Sequence, residues 1–340
     1  MKVKTILTAV ATATATLTLA GAAYAGILED VKAKGFLQCG ANTGLAGFAA
    51  PNDKGEWEGF DIDYCRALAA AVFGDPSKVK FTPLTAKERF TALQSGEVDV
   101  LARNTTWTFT RDVNLGLTFV GVNYYDGQGF MVRKDLGIKS AKELDGASVC
   151  IATGTTTELN LADYFRSHNM KFTSVVYEKS DEIRAGYDSG RCDVYTTDRS
   201  GLAAQRSLLK NPDANMVLPE VISKEPLGPV VRQGDDQWAD IARWTLNAMI
   251  SAEELGVTSS NAESMKTSKN PEVRRLLGTE GDLGKQLGLS ADWAYNIISK
   301  VGNYAEVYDR NIGPNTPIKL ERGLNALWSK GGILYSPPFR

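Results

Sequence analysis

Apolar positions along the chain fall into two kinds of run that alternate. The first kind is short: in "GFLQCGANTG" (35–44), "EVDVLA" (97–102) and the start of "ASVCIATGTTTELNLADYF" (147–165) a few buried-type residues are followed by a glycine or hydroxyl turn, as strands are. The second kind has helical spacing. In "WEGFDIDYCRALAAAVFG" (57–74), Ile62, Cys65, Leu68, Ala69 and Val72 share a face and Gly74 ends the run; in "DQWADIARWTLNAMISAEELG" (236–256), Trp238, Ile241, Trp244 and Leu246 turn toward a core. Strands alternating with helices predict an α/β fold with parallel sheets, whose ligands lie at the carboxyl ends of strands. The segments "PEVRRLLG", "ADWAYNIISKVGNYAEVYDRNIG" and "LERGLNALWSKGGILY" predict further helices and a tail packed on the first domain.

One pattern occurs twice. "FTALQSGEVDVLA" (90–102) and "IRAGYDSGRCDVYTT" (183–197) share Ser-Gly-x-x-Asp-Val: a helix stops at Gly96 or Gly190, where glycine suits a left-handed cap, and a strand follows. Each strand runs into a hydroxyl-rich tail with one distinctive charge, Arg111 in "TTWTFTRD" and Asp198 in "TTDRSG". Two similar units thus deliver opposite charges to one crevice, although the motif also serves as ordinary helix-to-strand punctuation. "GQGFMVRKD" (127–135) and "PLGPVVRQGDD" (226–236) resemble each other and bracket an intervening block, as the two crossings of a discontinuous domain would. The expected division is a first lobe of residues 26–131 plus 232–340 and a second of 132–231.

A length of 340 residues with 43% hydrophobic and 23% charged residues accommodates two domains and excludes a disordered chain. Residues 1–25 have Lys2 and Lys4, an apolar middle diluted by threonine, and a small-x-small end at Ala23-Tyr24-Ala25, the plan of a cleaved secretory leader. Its removal shifts the formal net charge from −2 to −4, and no basic stripe points to nucleic acid. Cys39, Cys65, Cys150 and Cys192 form an even set without C-x-x-C spacing, so an exported chain uses them as two disulfides and no metal site is expected. The pairs Cys39–Cys65 and Cys150–Cys192 would each lie inside one domain, among three possible connectivities. His168 is the single histidine and has no nucleophile signature beside it; no cofactor is implied.

The chemistry of the crevice follows from its charges. At "GTTTEL" (154–159) a strand turns into a helix with Thr155 or Thr156 at its cap, and the free N–H groups there favour an anion; a capping box between Thr155 and Glu158 explains the same residues without a ligand. Arg111 brings a guanidinium fork suited to a carboxylate. Asp198 can balance a cation, or cap its helix and pair with Arg199. An α-amino acid carries both charges on adjacent atoms, and neither can be buried unpaired cheaply. Asn104 and Thr106 add a carbonyl and a hydroxyl for the ammonium, and Trp107 packs behind.

At these residues a family resemblance emerges. "GFDID" (59–63), "DVLARNTTWTFTR" (99–111), "GTTTE" (154–158) and "GRCDVYTTD" (190–198) resemble, in order and spacing, the periplasmic amino-acid-binding proteins of ABC importers. "CGANTGLAGFAAPNDKG" and "ERGLNALWSKGGILYSPPFR" are similar to the general L-amino-acid-binding subfamily. The resemblance covers essentially the whole chain. It implies a two-lobed, type II periplasmic-binding-protein fold with a two-crossover hinge that closes on its ligand and docks on a membrane permease, acting as a monomer. It places the carboxylate on Arg111 and the Thr156 amide, the ammonium on Asp198, Asn104 and Thr106, and the ligand side chain against Leu84. Where many members carry a stacking ring this chain has "GLAGF", with Leu45 near that position and Phe48 following. A missing ring suits a permissive, wet pocket in which the shared head carries the binding energy. Glu88 is a further candidate contact for the ammonium or a polar side chain.

The competing reading is an enzyme on the same fold, a dehydratase acting on prephenate-like acids, for which Glu88, Asp61 or Asp63 would supply a general acid. Asp61 and Asp63 also suit a helix start, where acids complement the dipole. Fused transglycosylases of this kind need a second catalytic domain.

Overall fold

The computed structural model describes residues 26–340; the leader expected over 1–25 lies outside the described residues. From α1 (Ile27–Lys34) the chain enters β1 (Leu37–Asn42), makes a small hairpin of β2 (Ala50–Pro51) and β3 (Trp57–Glu58), and continues through α2 (Phe60–Phe73), β4 (Val79–Leu84), α3 (Arg89–Ser95), β5 (Val100–Leu101), α4 (Phe109–Asn114), β6 (Leu117–Phe119) and β7 (Tyr124–Asp126). A second unit follows, with β8 (Gln128–Arg133), β9 (Ser148–Ala152), α5 (Thr156–Ser167), β10 (Thr173–Tyr177), α6 (Ser180–Asp188), β11 (Val194–Asp198), α7 (Arg199–Ser207) and β12 (Asn215–Val217). The chain returns through β13 (Glu225–Leu227) and β14 (Val230–Arg232) to α8 (Asp236–Glu254). Short helices complete it: α9 (Ala262–Met265), α10 (Pro271–Leu276), α11 (Leu283–Gln286), α12 (Trp293–Lys300) and α13 (Tyr304–Asn311).

Two five-stranded sheets result, ordered β4-β1-β5-β14-β6 and β10-β9-β11-β8-β12. In each, three parallel strands are extended by an antiparallel strand: β14 beside β5 in the first, β8 beside β11 in the second. The likeness of "GFMVR" and "PVVR" has this cause, because the two segments are the equivalent strand of each sheet. The boundaries expected at 131/132 and 231/232 therefore need correction, since both cut through strands. The crossings lie a few residues earlier, in β7 and β13, which pair with each other as a ribbon with Glu225 opposite Asp126.

The repeated Ser-Gly-x-x-Asp-Val has a structural reason too. Asp99 donates its N–H to the Gln38 carbonyl and accepts the Gln38 N–H on Oδ2 at 2.7 Å; Asp193 does the same with Ser148, accepting its N–H at 3.0 Å. In both lobes this aspartate fixes the start of the central strand. Gly96, at φ +82°, caps α3, whereas α6 is capped by Ser189 and the left-handed Gly190 comes one residue later.

Helix α2 is buried on nearly all sides, packed by the first sheet, α8, α12 and α13. Its alanine-rich run allows those helices close approach. Trp238 of α8 is fully enclosed and donates its indole N–H to the Asp99 carbonyl at 2.9 Å, while Trp244 is half-buried, edge-on to Phe339. The segment "LERGLNALWSKGGILY" forms two single 3-10 turns (Gly323–Asn325 and Trp328–Lys330) instead of a helix, because Gly323 and Gly331 take positive φ. From the first turn Asn325 accepts the Tyr125 N–H at 2.7 Å and donates to the Tyr125 carbonyl at 3.1 Å, bracing β7 as a neighbouring strand would.

Both cysteine pairs are joined, Cys39–Cys65 tying β1 to α2 and Cys150–Cys192 tying β9 to the approach of β11. They span 26 and 42 residues, for which chain entropy gives an upper stabilisation of about 3.5 and about 4 kcal/mol. A Cys150→Ser/Cys192→Ser variant is expected to unfold at lower urea concentration, with a loss of about 2–4 kcal/mol; an unchanged midpoint would count against a constraining role for this bridge.

Candidate functional site: a charged cleft between the lobes

The carboxyl ends of β1 and β5 face those of β9 and β11 across a cleft whose walls both lobes supply. The first lobe contributes Asn42, Leu45, Arg89, Arg103, Asn104 and Thr106. From the second come Thr155, Thr156, Glu178, Tyr195, Thr197 and Asp198.

Five candidates from the sequence thus share one cavity: Asn104, Thr106, Thr155, Thr156 and Asp198. Asn104 follows β5 in the left-handed region at φ +43°, which asparagine tolerates; its N–H is held by Asp61 at 3.1 Å and its buried Oδ1 has no partner. Thr155 is the N-cap of α5, accepting the Glu158 N–H at 3.2 Å. Glu158 reaches back to the Gly154 N–H at 3.1 Å, so the box closes one residue earlier than the expected Thr155–Glu158 pairing. Gly154 has φ +74° and lies against Lys87 of the other lobe, a close approach that glycine permits.

Four candidates stand elsewhere. Arg111 is buried in α4 but absent from the cavity wall; its guanidinium turns back to the Thr106 carbonyl at 3.0 Å, and its Nε and Nη2 have no acceptor among the described residues. Phe48 packs edge-on to Phe60 and Tyr124 in the core behind the cleft, while Leu45 lines it. The Leu84 side chain belongs to the core of the first lobe, and its carbonyl accepts from Arg103 Nε at 3.0 Å. Glu88 is corrected to a local role outside the cavity: its carboxylate accepts the Thr85 N–H at 3.0 Å, and that bond holds its pKa below the usual range. Trp107 stacks flat on Phe119 at 5.4 Å and stays partly exposed.

Three groups that the sequence reading did not single out organise the cleft. Glu225, on the crossover strand β13, accepts from the Thr106 hydroxyl at 2.6 Å and the Thr156 hydroxyl at 3.0 Å on one oxygen. Its other oxygen accepts from Asn160 and Ser223, each at 2.7 Å. It thereby joins both lobes at the hinge, where Thr106 and Thr156 also meet at 3.3 Å. Arg89 donates to the carbonyls of Arg103 and Asn104 and to the Thr105 hydroxyl. Arg103 lines the wall directly beside Asn104. At the mouth Lys87 and Glu178 form an exposed interlobe ion pair at 2.9 Å, a contact of small energy.

The charges are segregated. Arg89, Arg103 and Arg111 belong to the first lobe, and none has a carboxylate within 4 Å among the described residues. Asp198 ends β11 in the second lobe, with Asp126 and Glu225 on the crossovers. Burial lowers all three arginines, Arg103 to about 10, which leaves Arg103 charged near neutral pH. Burial, then the neighbouring Asp126 and Glu225, pushes the Asp198 carboxyl well above its usual range; burial raises Asp126 to about 6. Arg199 turns away to the carbonyls of Leu218, Pro219 and Glu220, and Asp198 makes no side-chain cap bond, which leaves its carboxyl to the cleft.

Two lobes on a two-strand ribbon, closed over a cleft with opposed charges, define a solute-binding protein. The chain belongs to the bacterial extracellular solute-binding proteins, family 3, whose model matches residues 37–260. It is 64% identical over 323 residues to the general L-amino acid-binding periplasmic protein of Rhizobium johnstonii, covering 94% of this chain and 95% of that one. With the glutamate/glutamine/aspartate/asparagine-binding protein of Rhodobacter capsulatus it shares 59% identity, covering 95% and 96%. A solved periplasmic binding protein of an ABC transporter from Brucella ovis, with glutathione bound, superposes with a TM-score of 0.91 at 63% identity, covering 93% of this chain and 100% of that one. These are transport components. The acids an enzyme reading would use have structural partners, Asp61 on Asn104 and Asn123, Asp63 on Arg66, Arg310 and Asn311.

Replacing Glu225 with alanine leaves four donors, Thr106, Thr156, Asn160 and Ser223, without their shared acceptor and is expected to lower stability by about 3 kcal/mol. Glu225→Gln should fall between that variant and the parent in thermal unfolding; an unaltered melting temperature in both would remove Glu225 from its clasping role.

Proposed function

We propose that the protein is the periplasmic substrate-binding component of an ABC importer for L-amino acids, holding their zwitterionic head between two lobes and tolerating varied side chains. The segregation of charge in the cleft carries this reading: guanidinium groups on one wall and a carboxyl on the other suit a ligand with both charges on adjacent atoms. The carboxylate would rest on the free N–H groups at the start of α5 and on Arg111, whose Nε and Nη2 lack acceptors. The ammonium would meet Asp198, with the unpartnered Asn104 Oδ1 and the Thr106 hydroxyl beside it. The relatives' names, a general L-amino acid binder and a binder of glutamate, glutamine, aspartate and asparagine, support the same class. Removal of residues 1–25 on export, release into the periplasm, action as a monomer and docking on permease subunits belong to this proposal.

Thermal unfolding of the purified protein against the common amino acids tests it, because a ligand specific to the folded state raises the apparent melting temperature. Several amino acids should give shifts, and Arg111→Ala should abolish them all. Turnover of a prephenate-like acid with no such shift would favour the enzyme reading.

A pH dependence follows. An ammonium beside Asp198 favours its ionised form, so binding lowers a pKa that burial and like charges have raised. The protein should release protons on binding, and affinity should weaken as pH falls below the raised pKa of the Asp198 carboxyl in the free protein and level off once that carboxyl is ionised before the ligand arrives. Calorimetry in buffers of different ionisation enthalpy measures this; proton uptake on binding would contradict the assignment of the ammonium.

A further inference from the structure

The arginines of the cleft outnumber what an amino-acid head requires. Arg111 holds one backbone carbonyl from behind the wall, and Arg89 is fixed by two carbonyls and a hydroxyl at the base of the β5 turn. Arg103 differs from both. It lines the cavity, it is 8% exposed, and its only protein acceptor is the Leu84 carbonyl, reached by Nε at 3.0 Å. That bond orients the guanidinium and leaves Nη1 and Nη2, the edge that binds a carboxylate in two parallel hydrogen bonds, without an acceptor among the described residues. No carboxylate of the described residues lies within 4 Å. Of the charged groups near it, Asp61 uses its oxygens on the Asn104 N–H and Asn123 Nδ2 and is raised to about 6 by burial, Glu88 holds Thr85, and Glu178 is paired with Lys87; Asp198 attracts it without forming an ion pair, and Arg111 repels it.

Position adds direction. The head-binding groups Thr106, Thr156 and Asp198 cluster where Glu225 joins the lobes, on the hinge side. Arg103 leaves the end of β5 and reaches across β1 to the last residue of β4, two strand spacings or about 10 Å away. A ligand seated by its head at the hinge side would therefore extend its side chain toward this free fork.

We propose that Arg103 is the specificity-determining residue of the cleft and takes a second carboxylate, at the end of the ligand's side chain, so that acidic amino acids bind more tightly than their amide isosteres. The proposal rests on the reading of the cleft as an amino-acid site and adds a graded preference to its breadth: neutral side chains are tolerated, and an anionic one gains a bidentate, charge-assisted contact. Such contacts correspond to about a 10- to 100-fold difference in affinity.

The test is titration calorimetry of the purified protein, Arg103→Met and Arg103→Lys with L-glutamate, L-glutamine and L-alanine. The parent should bind glutamate at least about 10-fold more tightly than glutamine. Arg103→Met should lose about 10- to 100-fold in glutamate affinity while alanine stays within about 3-fold, and Arg103→Lys should lose most of the glutamate-over-glutamine preference because a point charge cannot make both hydrogen bonds. Equal affinity of the parent for glutamate and glutamine overturns the proposal, a result that needs no variant to fold. So does a uniform loss of all three ligands in both variants with the melting temperature unchanged, which would place Arg103 in the head clamp. A parent that binds none of the three overturns the amino-acid reading itself, and is told apart from the other two outcomes by the absence of any heat.

Discussion

Everything in the cleft is arranged around a carboxylate that belongs to neither lobe. Glu225 sits on one of the two crossing strands, and its oxygens gather hydroxyl and amide donors from both sides. A carboxylate enclosed this deeply is tolerable only if its lone pairs are filled, and donors from both lobes fill them. Contact between the lobes and the satisfaction of one buried carboxylate thus rest on the same hydrogen bonds. Asp126, directly opposite on the partner strand, adds a second acidic group, and burial together with these two neighbours raises the Asp198 carboxyl. One wall of the cleft consequently carries the Asp198 carboxyl and the other the guanidinium groups, with no ion pair between them among the described residues.

That imbalance explains why the site can be both selective and broad. On the proposed reading, selection would act on the pattern common to all α-amino acids, because each wall would recover its missing counter-charge from the same small head. The side chain meets a mixed lining, with Leu45 and Tyr195 beside Asn42, Thr197 and Arg103, in which no single ring imposes a shape. Loss of an aromatic platform at Leu45 is thus consistent with discrimination by charge in place of contour.

Much of this was legible in the residues, for identifiable reasons. Helix α2 and α8 carry long periodic faces, and the Ser-Gly-x-x-Asp-Val repeat marks equivalent positions because its aspartate performs the same backbone task twice. Asn104, Thr106, Thr155, Thr156 and Asp198 could be placed at one cavity because they lie where strands end. Glu225 was missed because its importance comes from groups 65 to 119 residues away, and "SKEPLGP" reads as an ordinary proline-flanked loop. Arg103 did leave a signal, a cation directly after a buried strand, but the more distant Arg111 drew attention through its hydroxyl-rich context. Glu88 is absent from the cavity wall for a local reason: its carboxylate, next to a helix start, satisfies the nearby Thr85 N–H. The domain boundaries slipped because the matching arginine-bearing segments are sheet strands, and the true crossings are shorter and less regular.

The brace from Asn325 to Tyr125 spans 200 residues of sequence and has a mechanical corollary. Of the two crossing strands, β7 is stitched on its outer edge to a segment anchored in turn by Arg322 on Glu253, and β13 on its outer edge to residues 105–107, where the Trp107 N–H donates to the Pro226 carbonyl at 2.8 Å and the Gly228 N–H to the Thr105 carbonyl at 3.0 Å. Both margins of the ribbon are therefore held, one by the tail and the other by the loop that carries Thr106. Anyone building a reporter on this scaffold should accordingly attach nothing bulky near residues 320–327, because a load there would be felt at the pivot before it was felt anywhere on the surface.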